Sequence, residues 1–176
     1  MSFLPKRGFT YPDGSVQLTA ASNQNLPFSS YTTIYGIFED PDFDGDVITV
    51  GHEGKVALVA ANIEVEKVDL RPQNKRYRPT LLKKGFDSAS PYFFEAFKLN
   101  TPLNTVTIEF WRNDNAGGQE LKFKYTLNDA SIVSILHLDN KSDDGSLLPL
   151  EIVRLAYEEL EIEDVEHGKT VVLQNQ

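Results

Sequence analysis

Apolar and polar residues alternate with a period of two through much of this chain. Val106, Ile108 and Phe110 alternate with Thr105, Thr107 and Glu109, and Leu121, Phe123, Tyr125 and Leu127 alternate with Lys122, Lys124 and Thr126. Side chains on a strand point to opposite faces in turn, so each run predicts a strand with one buried face. Between them lies Asn113-Asp114-Asn115-Ala116-Gly117-Gly118, a turn-rich loop, and together the three pieces predict an antiparallel hairpin. Residues 56–65, nearly continuous in apolar side chains, and residues 132–138 are further strand candidates.

A single short helix is signalled. Ser88 or Ser90 can cap its start, and Pro91 suits a first turn because its missing N–H would be unpaired there anyway. Phe93, Ala96 and Phe97 fall on one face, and Asn100 and Pro102 end the pattern. Residues 150–164 are ambiguous. Their leucines and glutamates favour a helix, whereas Val153, Leu155 and Tyr157 alternate as in a strand before Leu160 and Ile162 take the other parity. A β-bulge at Glu158 and Glu159 would reconcile the two halves with one buried face, and the strand is the preferred reading.

Phe9-Thr10-Tyr11 and Val16-Gln17-Leu18 flank Pro12-Asp13-Gly14-Ser15, a strong turn signal, which predicts a hairpin in the first thirty residues. Linker-like composition appears in residues 20–30 and 139–146. No long-period repeat is present, so the chain reads as one β-rich domain with a packed helix and an N-terminal appendage.

Charge narrows the partners. With 26 acidic against 17 basic side chains and a formal charge of -9, nucleic acid is not expected, because phosphate binding depends on lysine and arginine releasing counterions. There is no cysteine, which removes disulfides and thiolate chemistry together. The start of the chain carries Lys6 and Arg7 but continues Phe9-Thr10-Tyr11-Pro12 rather than into an apolar run, so neither a secretory signal nor membrane insertion is expected. The expectation is a protein made in the cytoplasm, whose export would need a route that ignores signal peptides.

Candidate chemistry fails on spacing. Asp40, Asp42, Asp44 and Gly45 resemble a calcium loop, but its twelfth place, where a bidentate glutamate is needed, falls on Gly51. His52-Glu53 opens a zinc-protease pattern whose second histidine is replaced by Val56. His52, His137 and His167 are scattered, no G-x-S-x-G elbow or glycine-rich phosphate cradle occurs, and the pairs Asp143–Asp144 and Glu158–Glu159 read as solvated acidic faces. No catalytic residue, metal site or cofactor is expected. The pattern points to binding or assembly.

Tyr31-Thr32-Thr33-Ile34-Tyr35-Gly36-Ile37 resembles the opening strand of the Hcp family of type VI secretion, and His52-Glu53-Gly54-Lys55-Val56 is similar to that family's next strand entry. Phe86-Asp87-Ser88-Ala89-Ser90-Pro91-Tyr92 resembles its Asp-x-x-Ser-Pro helix start, with Ala96 where the helix carries alanine. Val106 to Arg112 and Leu127 to Ile135 resemble its central hairpin, and Leu155 to Ile162 its last long strand. The resemblance implies a mainly β fold: a closed β-barrel of two packed antiparallel sheets with one flanking short α-helix. It also implies a ring-forming homohexamer whose stacked rings make a tube, with a contractile sheath, a tip spike and effector proteins as partners, expelled from a Gram-negative cell. It settles residues 150–164 as strand. The expected division is 1–30 extension, 31–169 barrel and 170–176 tail. Other classes with the same sequence features are a tail-tube subunit of a phage-like particle and a monomeric β-sandwich binding module.

Arg71, Lys75, Arg76 and Arg78 form the densest basic cluster, at the position of the family's extended loop, and Glu158, Glu159, Glu161, Glu163, Asp164 and Glu166 the densest acidic one. Strand alternation places Glu159, Glu161 and Glu163 on one face. The expectation is that the basic loop of one subunit meets this acidic surface on the next.

Overall fold

The computed structural model describes residues 9–10, 16–17, 33–39, 41–67, 75–113, 118–141 and 147–174. The chain separates into two compact units, residues 1–30 and 31–176. In the first, β1 (Phe9–Thr10) pairs antiparallel with β2 (Val16–Gln17), and the turn Pro12-Asp13-Gly14-Ser15 lies outside the described residues.

The second unit runs β3 (Thr33–Glu39), β4 (Val56–Asn62), β5 (Val65–Lys67), β6 (Lys75–Tyr77), β7 (Thr80–Gly85), α1 (Ser90–Leu99), β8 (Leu103–Asn113), β9 (Gln119–Lys141), β10 (Leu147–Ala156), β11 (Glu159–Asp164) and β12 (Lys169–Gln174). The strand order β10-β7-β4-β3-β8-β9-β11-β12 is antiparallel throughout, and an additional β9–β10 pairing closes the first six into a barrel. Strands β11 and β12 continue the sheet beyond the closure, and β5 and β6 form a separate hairpin.

Closure depends on β9, the longest strand. Its first half pairs with β8 on one side and β11 on the other, and its second half, from Ser131 onward, pairs with β10. Residues 132–138, expected as a strand of their own, are this second half. The two halves meet at Asp129, whose φ of 51° lies in the left-handed region that aspartate tolerates better than bulky residues. A strand shared by two parts of a curled sheet must bend, and the bend is placed there.

The alternation read from sequence decides the faces. Ile34, Phe110, Phe123 and Ile108, Tyr125, Ile162 lie in cross-strand rows on the core side, while Glu109, Lys124 and Glu163 form a row on the other. The interior is filled by Val56, Val106, Ile108, Leu127, Val153 and Leu155, all fully buried, and by Phe93 and Leu103 beneath α1. Burying each such side chain stabilises the fold by roughly 1.5–3 kcal/mol.

Residues 150–164 are strand, interrupted at Tyr157 and Glu158 rather than bulged at Glu158 and Glu159. Tyr157 stays in the core, and the Glu158 N–H donates to the Asn128 carbonyl at 3.2 Å. The break transfers the chain from the second half of β9 to the first. Residues 170–176, expected as a tail, carry most of β12, which pairs with β11 from Glu159↔Gln174 to Asp164↔Lys169.

The cap of α1 also differs from expectation. Ala89 is the N-cap and makes no side-chain bond, and Ser90 is already helical. The Asp87 carboxylate instead accepts from the Ala89 N–H at 3.0 Å, and the Ser90 hydroxyl accepts from the Asp87 N–H at 3.2 Å. Asn100, with φ of 51°, ends the helix. Phe93 and Ala96 are buried, but Phe97 remains nearly half exposed, because the stripe that the sheet covers is narrow.

Candidate assembly surfaces

Two polar constellations are built into the fold. Beneath the start of α1, Lys84 is buried and its ammonium reaches Asp87 at 2.7 Å, Glu151 at 3.0 Å and the Ser90 hydroxyl at 2.9 Å. The same hydroxyl lies 3.2 Å from Glu151, and His137 approaches the other Glu151 oxygen at 3.3 Å, its ring packed edge-on against Phe86 and Phe94. A lysine beside a serine has the outline of a nucleophilic pair. Here Ser90 is shut away from solvent and the lysine is divided between two carboxylates, so the group bolts β7, β10, β9 and α1 together.

The second constellation surrounds His52, which is packed rather than merely turning the chain. Its ring stacks on Tyr35 with centroids 4.6 Å apart and meets Trp111 edge-on at 4.5 Å. The Lys55 ammonium lies 2.6 Å from Glu109, which also accepts from the Trp111 indole N–H at 2.9 Å, and it sits over both the Tyr35 and Trp111 rings. This explains the His-x-Gly-x-Val pattern: histidine packs the turn, Gly54 takes φ of 75°, and Val56 enters the core. The acidic turn before it is docked as well. The Ser88 hydroxyl donates to the Asp44 carbonyl at 2.8 Å and the Ser88 N–H to the Asp46 carboxylate at 3.2 Å; Asp40 lies outside the described residues.

The basic cluster falls on the β5–β6 hairpin, with Arg71 outside the described residues. Its two described arginines are answered from the same hairpin: Arg76 reaches Glu66 at 3.4 Å, and Arg78 reaches Glu66 at 3.0 Å and Glu64 at 3.4 Å, every one of these side chains at least a third exposed. On β11, Glu159, Glu161 and Glu163 do share the face opposite Leu160, but two are engaged. Glu159 accepts from Asn128 at 2.9 Å and Gln174 at 3.0 Å, bonds that hold its carboxyl below the ordinary value, the Gln174 bond most strongly. Glu163 lies 2.6 Å from Lys124, and this bond raises the lysine above its ordinary value. Glu161 has no ion-pair partner among the described residues. Among the described residues, no ion pair joins the basic cluster to the acidic one within the chain.

Sequence reasoning passed over the Lys84 bolt, although Thr80, Leu82 and Lys84 share the buried parity of β7. It also passed over residues 46–51, where Ile48 and Val50 stand in solvent.

Comparison with known proteins decides the family. The family model described as "Type VI secretion system effector, Hcp" matches residues 31–163. The chain belongs to the Hcp family. A curated relative, the "Major exported protein" of Pseudomonas aeruginosa, is 32% identical over 127 residues, which span 68% of this chain and 74% of that protein. Among solved structures, a variant of Hcp1 from E. coli EAEC 042 superimposes with a TM-score of 0.70 at 20% identity, over 81% of this chain and 99% of that one. The secreted protein Hcp3 from Pseudomonas aeruginosa gives 0.63 at 25% identity, over 82% and 97%. Hcp proteins are tube proteins of type VI secretion, and the barrel with one short helix is the Hcp fold.

Proposed function

We propose that this chain acts as a non-catalytic tube subunit that closes into a homohexameric ring, stacks ring upon ring within a contractile sheath, and leaves the cell with the machine that expels it. A spike at the tip and small effectors within the ring are its further partners in this reading. The observation that carries it is that the match to the Hcp family covers nearly the whole barrel, strands β3 to β11. Two features support it. The buried ionisable groups are engaged in holding elements together rather than left facing a cleft, and a relative bears the name of an exported protein. A ring of identical subunits needs two different complementary patches on each. The exposed β5–β6 hairpin, with Lys75, Arg76 and Arg78, supplies one of them.

Light scattering together with negative-stain microscopy tests the reading. The expected result is annular particles of six times the 19.8 kDa subunit mass. Only monomer across a wide concentration range would sink it.

A further inference from the structure

The connection between β3 and β4, residues 41–55, is long but firmly built. Phe43 anchors it in the core, stacked on Phe38 at 5.9 Å and edge-on to Phe93 at 5.2 Å. The Gly45 N–H donates to the Gly54 carbonyl at 2.8 Å, and the Gly54 N–H to Val47 at 3.0 Å. A side chain at Gly45 would run into the Lys55 carbonyl at 2.5 Å, so the two arms can close only on glycine. At the tip, the His52 N–H donates to the Thr49 carbonyl at 2.8 Å and the Gly51 N–H, at φ of 83°, to the Glu53 carboxylate at 2.8 Å. Docking of Ser88 on Asp44 and Asp46 ties the outer side to the start of α1.

This ordered loop ends on two bare aliphatic side chains, Ile48 at 90% and Val50 at 89% exposed. A knob already fixed in shape can bury apolar surface on a partner without a further ordering cost. Its base is acidic: Glu39, Asp42, Asp44 and Glu53 line a shallow cavity of about 210 Å³ together with Lys55. Lys55 is already committed to Glu109 at 2.6 Å, and Glu39, Asp42 and Asp44 have no ion-pair partner among the described residues.

We propose that Ile48 and Val50 seat on the β5–β6 hairpin of a second copy of this chain, whose Lys75, Arg76 and Arg78 meet the carboxylates at the base of the knob. This rests on the tube-subunit reading and names the patch that the hairpin meets. Lysine and arginine suit the place because their methylene stems cover aliphatic surface while their charged ends reach outward to carboxylates. Arg76 and Arg78 are 57% and 46% exposed, and their pairs with Glu64 and Glu66 lie in water, where exchange of partners costs little. The glutamates of β11 are the poorer acceptor, since two of the three on that face are already engaged. Glu159 would have to give up Asn128 and Gln174, and Glu163 would have to give up Lys124. Knob and hairpin are different surfaces, so the contact is heterologous, the kind that propagates from copy to copy around a ring or along a stack.

Charge-swap variants measured by light scattering at physiological salt provide the test. Ile48→Ser with Val50→Ser raises the concentration at half-assembly by about tenfold or more. Its circular dichroism and unfolding midpoint stay unchanged, since both side chains are already in solvent. Arg76→Glu with Arg78→Glu has the same effect, and adding Asp42→Lys with Asp44→Lys restores assembly whereas adding Glu161→Lys with Glu163→Lys does not. Assembly of the knob variant at the unaltered concentration, or rescue by the β11 pair instead, overturns the contact while leaving the tube reading intact. A natural chain that stays monomeric overturns both.

Discussion

Two groups of ion pairs in this chain use the same chemistry in opposite surroundings. Lys84 and Glu151 meet at 3.0 Å with both side chains withdrawn from solvent, whereas Arg78 and Glu66 meet at the same distance on the open face of the β5–β6 hairpin. Desolvation makes the difference. A buried pair has given up its water and must be kept whole, because removing one partner strands the other; an exposed pair is screened and contributes about 0–1 kcal/mol. The first kind fixes one arrangement of strands and helix. The second leaves its members free to change partners, which is what an assembly surface requires.

The comparison is broken most severely at Lys84. Replacement by methionine leaves Asp87 and Glu151 side by side without their cation and should destabilise the fold by about 3–5 kcal/mol in urea unfolding. Adding Glu151→Leu should recover much of that loss, since a packed apolar pair in place of a buried ion pair is often neutral or better. A single-variant loss below about 1 kcal/mol would show that the bolt is not what holds α1 to the barrel. Arg78→Ala should behave in the opposite way, changing the unfolding free energy by no more than about 1 kcal/mol while weakening assembly. A large stability loss there would mean that the hairpin pairs hold the fold.

The smallest effect sharpens the exposed side. Glu159 is held below the ordinary 4.5 by its bonds from Gln174 and Asn128, against a desolvation that pushes the other way. A depressed carboxyl stabilises the fold above its unfolded value and loses that contribution as pH falls through the folded one. Lys124 is the mirror image: raised above 10.5 chiefly by Glu163, it contributes below 10.5 and loses that contribution as pH rises through the raised value. Between these limits neither group makes stability depend on pH. Gln174→Ala should therefore move the Glu159 midpoint upward in an NMR titration and slightly lower the unfolding free energy at neutral pH, a deficit that disappears as pH falls below the carboxyl's titration. An unmoved midpoint would mean that the β12 bond is not formed in solution.

What the sequence made legible follows the strength of alternation. The β8–β9 hairpin could be read because apolar and polar residues exchange at every step, and α1 because Pro91, Phe93 and Asn100 punctuate it. Strand β12 escaped because Val171 and Val172 are adjacent and both about half exposed, so no period of two marks a buried face. The full length of β9 escaped because the bend at Asp129 shows in backbone angle rather than in residue type. For the candidate surfaces, the basic cluster was visible as composition, but its answering Glu64 and Glu66 depend on the pairing register that sets Glu66 opposite Arg76. Ile48 and Val50 carry no sequence signal that sets them apart from buried aliphatic residues, and only the closed loop beneath them shows that they stand in solvent.

The double duty of β9 bears on how the chain is made. The barrel shuts only when β10 arrives to bridge the far half of β9, which immediately precedes it, and β7, which lies far back in the sequence. Until about residue 156 has been synthesised, the nascent chain therefore carries two unpaired strand edges with a row of open N–H and C=O groups along each. Non-local closure of this sort is slow, and exposed edges pair readily with any neighbour. On a crowded polysome the greatest danger to this protein is another unfinished copy of itself, and the interval before β10 emerges is when a chaperone would matter most.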